Sequence, residues 1–355
     1  MGRILIKGGR LWDGEKFSRA DILTDGAALA KIGNDLCEAA DFVYDAAGKT
    51  VSAGLVDAHV HMRGVSSEEF GIQAEMSCFP FGVTAAADAS GVYGDKALLE
   101  SFMLKNVVFV CAGFRATRAD FSGAEAMLAR YGDKAVGIKV YFDARMSEVS
   151  DVTPLRQACE FASARGLRVM VHCSHSPVPM AEILDTLNPG DMLTHSFHGG
   201  ENNAAMDDFE GIRRAKERGV LIDVGFAGHV HTDFAILEKA IRCGILPDLI
   251  STDITRYSAF TRGGRYGMTM CMNIARMLGV PEESVFKAVT SAPAKALGKA
   301  GEWGTLKPGC RADIAVFEDT DEGFDLTDAA GNSVHAENGY RCVLTVADGQ
   351  VVYRH

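Results

Sequence analysis

Between Gly54 and Lys299 the chain alternates short apolar runs with longer segments of helical periodicity. The starts of successive runs lie 23 to 33 residues apart, which is room for one strand, one helix and two loops. Near-continuous apolar strands that alternate with helices indicate a parallel sheet covered on both faces, and eight such units predict a (β/α)8 TIM barrel. The eight runs are 55–61, 82–90, 106–114, 135–142, 168–175, 191–198, 220–226 and 249–255.

An open, doubly wound sheet is the alternative arrangement. Such sheets usually have fewer strands, and no G-x-G-x-x-G pattern follows the first run. Two of the intervening segments carry helix boundaries. Residues 151–165 have Asp, Thr and Pro at their start and end before Gly166, and residues 204–218 end before Gly219. Proline in the first turn and glycine after the last turn are typical of helices, so these segments favour the barrel.

The two ends of the chain have a different pattern. Residues 341–353 contain a turn signal at Asp348-Gly349, which predicts a β-hairpin. Three further short runs have the composition of strands, namely 2–7, 41–46 and 312–317. We therefore predict β structure at both ends and α/β structure between them.

Composition and charge narrow the class of protein. The 355 residues carry a net charge of −11, which argues against a nucleic-acid partner. No apolar run reaches the roughly 18–20 residues of a membrane span, so we expect no membrane partner. The nine cysteines form no C-x-x-C pair, and no secretory signal is recognised, so we expect a cytoplasmic protein with reduced cysteines. The expected partners are a small-molecule substrate and further copies of the chain in a homo-oligomer.

Side chains that can bind metal ions lie at the ends of several predicted strands, where barrel active sites are built. His59 and His61 end the first run, and alternate residues of a strand point the same way, so both imidazoles face the barrel mouth. His172, His195 and Asp253 lie in the fifth, sixth and eighth runs. Four imidazoles and a carboxylate suit zinc or a similar divalent ion.

Lys139 lies inside the fourth apolar run, where an unpaired ammonium is costly to bury. Two interpretations are open. The side chain extends outward between helices with its charge in water, or the amine is uncharged. An uncharged amine can take up carbon dioxide, and the resulting carbamate would supply two oxygens that bridge two metal ions.

These residues, together with several longer motifs, resemble the amidohydrolase superfamily over nearly the whole chain. The resemblance implies a small β-sandwich domain built from both termini, residues 1–53 and 300–355, beside a barrel at residues 54–299. The ligand order is similar to the binuclear branch with a carbamylated lysine, which contains dihydroorotases, hydantoinases and zinc-dependent deacetylases. The longer motifs are LIKGGRLWDG, GLVDAHVH, SAPAKALG and GTLKPGCRADIAVF.

By this resemblance the cofactors are two divalent metal ions, which we expect to be zinc. Asp253 is also the expected catalytic residue. It would take a proton from the attacking water, which would thereby become a metal-bound hydroxide, and it would deliver that proton to the leaving group. The implied ligands are His59, His61 and Asp253 for the more buried ion, His172 and His195 for the more exposed ion, and a carbamate on Lys139 as the bridge.

Two substrate classes compete within this branch. Arg63 makes the sequence HVHMR similar to the dihydroorotase H-x-H-x-R, whose arginine holds a substrate carboxylate. The segments ADASG, GIKVYF and LTHSFHGG resemble the deacetylases instead, although Tyr141 stands where that group commonly has arginine. We therefore expect hydrolysis of the amide or ester bond of a small, acetylated, carboxylate-bearing compound. A cyclic amidase of dihydroorotase or hydantoinase type and a non-catalytic barrel scaffold are the alternatives.

Residues near the predicted ligands complete the candidate site. Asp57 has the strand parity of His59 and is expected either to support the ligands or to be a buried acid bonded to backbone. His229 and His231 form a second H-x-H after the seventh run, with a weaker expectation of metal binding because the pair lies beyond the strand end. The expected substrate contacts are Arg63, Tyr141, His198 and Arg256.

Overall fold

The computed structural model describes residues 2–228, 230–261 and 266–355. Most of its strands belong to one of two sheets, a central parallel sheet and a sheet made from both ends of the chain. The strands are β1 (Ile4–Trp12), β2 (Phe17–Asp25), β3 (Ala28–Gly33), β4 (Phe42–Asp45), β5 (Thr50–Ala53), β6 (Leu55–Val60), β7 (Val83–Gly91), β8 (Lys105–Cys111), β9 (Gly113–Ala116), β10 (Arg118–Asp120), β11 (Ala135–Tyr141), β12 (Glu148–Val149), β13 (Arg168–His172), β14 (Met192–Thr194), β15 (Leu221–Ile222), β16 (Ile314–Thr320), β17 (Phe324–Thr327), β18 (Ser333–Ala336), β19 (Gly339–Ala347) and β20 (Gln350–Arg354).

The helices in the described parts of the chain are short. None of them has the length and apolar content that a membrane crossing requires, as far as the described residues extend. They are α1 (Ala74–Cys78), α2 (Lys96–Ser101), α3 (Ser122–Tyr131), α4 (Thr153–Ser163), α5 (Met180–Thr186), α6 (Glu210–Arg218), α7 (Phe234–Arg242), α8 (Arg256–Thr261), α9 (Met268–Met277), α10 (Glu282–Ala288) and α11 (Ser291–Ala296).

Seven parallel strands form the central sheet, in the order β6, β7, β8, β11, β13, β14 and β15. Their order in space follows their order in the chain, and helices such as α4 and α5 lie between consecutive strands of the sequence. All nine residues of β7 are buried, which explains why its sequence lacks the regular alternation of apolar and polar residues that a half-buried strand has. The predicted α/β fold with a parallel sheet is confirmed.

The eighth predicted apolar run does not form a regular strand. It reaches both edges of the sheet through isolated bridges, from Leu249 to Asp223 beside β15 and from Ile254 to Val60 of β6. Asp253 has a φ angle of 48°, and this left-handed conformation interrupts the extended ladder. The sheet is therefore curled, and this segment spans the distance between its first and last strands.

Both predicted helix ends are confirmed, because α4 ends before Gly166 and α6 ends at Arg218, directly before Gly219, but only the first of the two segments is a single helix. In α4, Asp151 accepts a hydrogen bond of 2.7 Å from the N–H of Thr153, and the helix ends before Gly166 as predicted. The segment 204–218 is not one helix. Asp208 and Phe209 have φ angles of 51° and 65°, so a short 3-10 turn precedes α6 and the two are separated by left-handed backbone.

The two ends of the chain pair in one eight-stranded sheet, in the order β20, β19, β16, β5, β1, β2 and β3, with β4 also paired to β1. The predicted strands at 2–7, 41–46 and 312–317 correspond to β1, β4 and β16. The predicted hairpin is formed by β19 and β20, and Asp348 and Gly349 at its turn both have positive φ. The prediction that both ends are β structure is confirmed.

Gly54 connects the terminal sheet to the central sheet, because β5 ends at Ala53 and β6 begins at Leu55. A Cβ atom at Gly54 would lie 2.1 Å from Oγ1 of Thr84 in β7, so only glycine allows the strands to approach this closely. The N–H of Gly54 donates a hydrogen bond of 2.9 Å to the carbonyl of Asp313. This junction fixes where β6, which carries the first predicted ligand, enters the sheet.

Candidate metal centre

The carboxyl ends of the central strands surround a cavity of about 520 Å³. Five of the six predicted metal ligands line this cavity, and the sixth, His195, is fully buried with its ring centre 4.5 Å from that of His172. The structure therefore brings all six residues together. The five lining residues are His59, His61, Lys139, His172 and Asp253.

Asp253 contacts the two histidines of the first strand. Its Oδ1 atom lies 2.9 Å from Nε2 of His61 and 3.2 Å from Nε2 of His59. All three side chains are buried, and their ligand atoms lie within 4.8 Å of one another. Burial raises the pKa of Asp253, but the imidazoles of His59 and His61 outweigh this effect and hold the pKa below its usual range. Two nitrogens and a carboxylate at this spacing can hold one divalent ion.

A second group consists of three histidines, His172, His195 and His231, whose ligand atoms also lie within 4.8 Å of one another. The Oδ2 atom of Asp253 faces this group, 3.7 Å from Nε2 of His195 and 3.9 Å from Nε2 of His231. One carboxylate therefore stands between two groups of histidines. Burial lowers the pKa of His195 well below its ordinary value and that of His231 to about 3, which leaves both imidazoles neutral, the form that binds metal ions.

Hydrogen bonds to Nδ1 orient four of the five imidazoles and leave Nε2 for the centre. This arrangement is the usual one around metal-ligating histidines, because the second nitrogen fixes the ring and the tautomer. The partners of Nδ1 are Thr194 Oγ1 for His59 (3.1 Å), Ser90 Oγ for His61 (2.8 Å), the carbonyl of Gly225 for His195 (2.6 Å) and Ser174 Oγ for His231 (2.7 Å).

His172 is oriented the opposite way. Its Nε2 lies 3.2 Å from Oδ2 of Asp143, a fully buried carboxylate that also accepts a 2.8 Å hydrogen bond from the N–H of Arg145. Because a carboxylate accepts, the proton of His172 lies on Nε2, and Nδ1 carries the free electron pair. Asp143 is thus the positioning partner of His172.

Two further buried carboxylates accept hydrogen bonds from groups next to the predicted ligands. Asp57 accepts hydrogen bonds from the Oγ1–H of Thr252 (2.6 Å) and the N–H of His59 (3.2 Å), and burial raises its pKa to about 7. Asp223 accepts a 2.7 Å bond from Thr194, the partner of His59, and burial raises its pKa to about 6. Asp57 is therefore bonded to backbone and hydroxyl groups near the ligands and does not itself face the centre.

Lys139 is fully buried, and its Nζ atom lies 3.2 Å from Nε2 of His59 and 3.6 Å from Sδ of Met170. Burial lowers the pKa of Lys139 to about 8. The side chain therefore points into the site, and the alternative in which it extends outward between helices is wrong.

Residues 50–352 match the amidohydrolase family over most of the chain. The chain belongs to this family. The protein is accordingly a hydrolase, and its homologues act on carbon–nitrogen bonds. The resemblance inferred from the sequence motifs is confirmed.

Named relatives of this amidohydrolase differ in their activities. A deacetylase from Brucella anthropi is 28% identical over 337 residues, which cover 88% of this chain and 82% of that protein. A solved dihydroorotase structure is similar with a TM-score of 0.85 and 25% identity, covering 100% of this chain and 98% of the other. A solved adenine deaminase structure has a TM-score of 0.86 and 26% identity, covering 99% of each chain. The substrate must therefore be inferred from the cavity itself.

The donor atoms of this amidohydrolase fit a metal ion. Nδ1 of His195 donates to a carbonyl, so Nε2 carries a free electron pair, and among the described residues this buried atom has no hydrogen-bond partner. Oδ1 of Asp253 is close to two imidazoles but likewise has no hydrogen-bond partner in the described part of the chain. Buried polar atoms without partners are costly, and a cation bound to both atoms would remove that cost.

The predicted substrate contacts of the amidohydrolase occupy different places. Tyr141 lines the cavity, with its ring centre 5.6 Å from that of His172. Arg63 lies outside the described lining; its side chain is 61% exposed, and its Nε donates to Glu68 at 2.7 Å. His198 is buried and Arg256 is exposed, and neither is among the described residues that line the cavity.

Sequence reasoning missed several residues of the site. Arg145, in the loop after β11, lines the cavity, as do the apolar side chains of Phe70 and Met146. No sequence pattern distinguishes these loop residues. His231 received the weaker expectation, although the H-x-H pattern was a usable signal; its companion His229 lies outside the described residues.

Proposed function

We propose that this amidohydrolase is a metal-dependent enzyme that hydrolyses the amide or ester bond of a small, acetylated compound bearing a carboxylate. The observation that carries the proposal is the position of Asp253. One oxygen of its buried carboxylate faces His59 and His61, and the other faces His195 and His231. Such a carboxylate can serve two metal positions and exchange a proton with a substrate in the cavity.

Two divalent ions, which we propose to be zinc, would occupy the two groups of ligands. His59, His61 and Asp253 would hold one, and His172 and His195 the other. Lys139 would bridge them after its amine adds to carbon dioxide, a step that forms a nitrogen–carbon bond, yields a carbamate anion and releases one proton to solvent. The burial of Lys139 and the absence of an ion pair on it within the described chain support this role.

Divalent ions, when bound, lower the pKa of a water molecule and polarise the carbonyl under attack. Asp253 supplies the proton transfer: its carboxylate takes a proton from the attacking water and delivers it to the leaving nitrogen or oxygen. The backbone holds this carboxylate in place, since the N–H of Asp253 donates a 2.7 Å hydrogen bond to the carbonyl of His59. Burial of the site excludes bulk water, which strengthens each electrostatic contact.

The cavity suggests where the rest of the substrate lies. Phe70, Val92 and Met146 form apolar parts of its wall, and Arg145 adds a cation beside them. We propose that Arg145, and not Arg63, contacts the substrate carboxylate, because Arg63 is already paired outside the cavity. A carboxylate in this pocket would compete with the loose pairing of Arg145 Nε to Asp143 at 3.6 Å.

Hydrolysis of a cyclic amide is the second candidate, and the similarity to the dihydroorotase structure over the whole chain favours it. The proposed metal positions serve either substrate equally. The two candidates differ in the shape of the group that must fit beside Phe70 and Arg145.

The fold proposals accompany this function. We propose that residues 54–299 form a complete (β/α)8 barrel in which the segment 249–255 takes the place of the eighth strand. We further propose that residues 1–53 and 300–355 form a small β-sandwich domain. The pairing of β5 with both β1 and β16 supports a common terminal domain.

Metal analysis combined with a substrate screen tests the function. Protein produced with zinc in the medium should carry about two divalent ions per chain. It should hydrolyse members of a panel of N-acetyl amino acids or acetylated hydroxy acids, and lose this activity on chelation. A preference for dihydroorotate or hydantoins over every linear compound would favour the cyclic amidase. Protein with no bound metal and no hydrolysis across the panel would overturn the proposal.

A further inference from the structure

We propose that His231 is a third protein ligand of the second metal ion, beside His172 and His195. This inference rests on the proposed function. It adds a ligand from the loop after β15 to the six ligands that the family resemblance implies. Apart from the proposed bridge on Lys139, each metal position would then have three protein side chains.

The position of the ring carries the proposal. The ring centre of His231 lies 3.9 Å from that of His195 and 4.9 Å from that of His172. One nitrogen from each of the three rings falls within a single group no wider than 4.8 Å. Nε2 of His231 also lies 3.9 Å from Oδ2 of Asp253, the oxygen that faces this second group.

The orientation of the ring is fixed by Ser174. The hydroxyl of Ser174 lies 2.7 Å from Nδ1 of His231, so Nε2 is the nitrogen turned to the centre. Ser174 is itself buried, two residues after His172 at the end of β13. His231 is thus held by the same segment of chain that supplies His172, another proposed ligand of the second ion.

A substrate-binding role for the same imidazole predicts a different result. A histidine that only contacts substrate can be removed without changing how tightly the metal is held. Removal of a histidine that binds the metal does weaken metal binding, because the ion loses a donor atom. Metal affinity, measured without substrate, therefore separates the two roles.

The first experiment measures zinc content and the rate of zinc release to a chromogenic chelator. The variants are His231→Ala, His231→Gln and Ser174→Ala, with His198→Gln as the matched control for loss of a buried imidazole. Loss of a supporting hydrogen bond to a ligand typically costs about 10–100-fold in metal affinity, and we expect an effect of that size in Ser174→Ala. We expect a larger loss in both His231 variants, confined to one of the two ions, and wild-type retention in His198→Gln.

The second experiment does not depend on loss of function. In the cobalt-substituted His231→Cys variant, a thiolate at position 231 can replace the imidazole as a ligand. We expect a thiolate-to-cobalt charge-transfer band that is absent from the cobalt-substituted parent and from cobalt-substituted His198→Cys. The band gives a positive signal of coordination even if turnover is lost.

The outcomes distinguish this inference from the proposed function. Unchanged zinc release in both His231 variants, together with no charge-transfer band in His231→Cys, would overturn the ligand role of His231 while the metal-dependent hydrolase stands. A parent protein that binds no metal would overturn the proposed function, and this inference with it. Faster release from one site together with the band would support both.

Discussion

The Nζ atom of Lys139 lies 3.2 Å from Nε2 of His59, and both side chains are buried. No carboxylate forms an ion pair with this lysine in the part of the chain that the structure describes. A buried, unpaired ammonium beside imidazoles is unfavourable, whereas a carbamate would be attracted to cations at the same place. We therefore expect the number of metal ions that the site retains to depend on Lys139.

Replacing Lys139 with alanine should remove the bridge between the two metal positions. We expect about one tightly bound ion per chain in place of two and loss of most activity, because each ion loses an anionic ligand. A short carboxylic acid such as propionate should restore part of the activity, since its two oxygens can occupy the vacated space. Lys134→Ala is the matched control; Lys134 precedes the same strand and is only partly buried. A crystal structure of metal-loaded parent protein with a free amine at Lys139 would contradict the carbamate.

Asp253→Asn tests the proton-transfer role. The amide keeps one oxygen for the metal and nearly the same shape, but it cannot accept a proton. Turnover should therefore fall by roughly 10²–10⁴-fold, the range that a lost general base or acid typically costs, while the protein remains folded. Steady-state kinetics and zinc content measured on the same preparation check this expectation. Unchanged turnover would show that another residue transfers the proton.

Seven of the eight predicted apolar runs form strands of the central sheet, because strands that are buried on both faces read as nearly continuous apolar runs. The eighth run has the same composition, but Asp253 within it adopts left-handed backbone, and such single-residue conformations leave no pattern in sequence periodicity. In the terminal sheet, β2 was missed because only part of it is buried, and its exposed half is polar. Strands of this kind depend on tertiary pairing more than on their own pattern.

The predicted ligands came together because they lie at or near the carboxyl ends of the predicted apolar runs, which a curled parallel sheet gathers at one edge. Residues on loops could not be placed in this way. Arg63 follows His61 closely in sequence, yet the loop turns it toward Glu68 and away from the cavity. Arg145 reaches the cavity from a loop whose path no periodicity describes. Asp143 was missed because its role depends on a contact with His172, 29 residues away.

Gly225 is expected to be essential for the position of His195. Its carbonyl accepts the hydrogen bond from Nδ1 of His195, and a Cβ atom there would lie 2.2 Å from Oγ1 of Thr194 and 2.8 Å from Nδ1 of His195. Gly225→Ala should therefore displace His195 and weaken binding of the second metal ion. Gly166→Ala is a control, because Gly166 also has a positive φ angle, 68°, but no atom within 4 Å of its Cβ position.

Both glycine variants should lose roughly 1–2 kcal/mol of unfolding free energy from left-handed backbone strain. The Gly225 variant should lose more than the Gly166 variant and should also release zinc faster, since of the two glycines only Gly225 adjoins a ligand. Denaturant titration and zinc release measure the two effects separately. Equal behaviour of the two variants in both assays would show that Gly225 does not position His195.

The last prediction concerns the substrate carboxylate. Arg145 lines the cavity, whereas Arg63 lies outside its described lining and is paired with Glu68, so of these two arginines Arg145 is the one placed to reach a bound substrate. A hydrogen bond to a charged group is worth roughly 1.5–3 kcal/mol, which corresponds to a loss of about 10–100-fold in kcat/KM for Arg145→Ala. The loss should appear mainly in KM, because the contact lies away from the reacting bond.

The comparison of a substrate acid with its methyl ester isolates this contact. The parent protein and the Arg63→Ala variant should both prefer the acid, because their cavities keep the guanidinium of Arg145. Arg145→Ala should treat acid and ester nearly alike, since neither then meets a cation at that wall. Arg145→Lys should recover part of the preference, as it restores the charge but not the planar geometry that pairs with a carboxylate. If the preference is lost in Arg63→Ala and kept in Arg145→Ala, the carboxylate is held by Arg63, and the loop around Glu68 must rearrange when substrate binds.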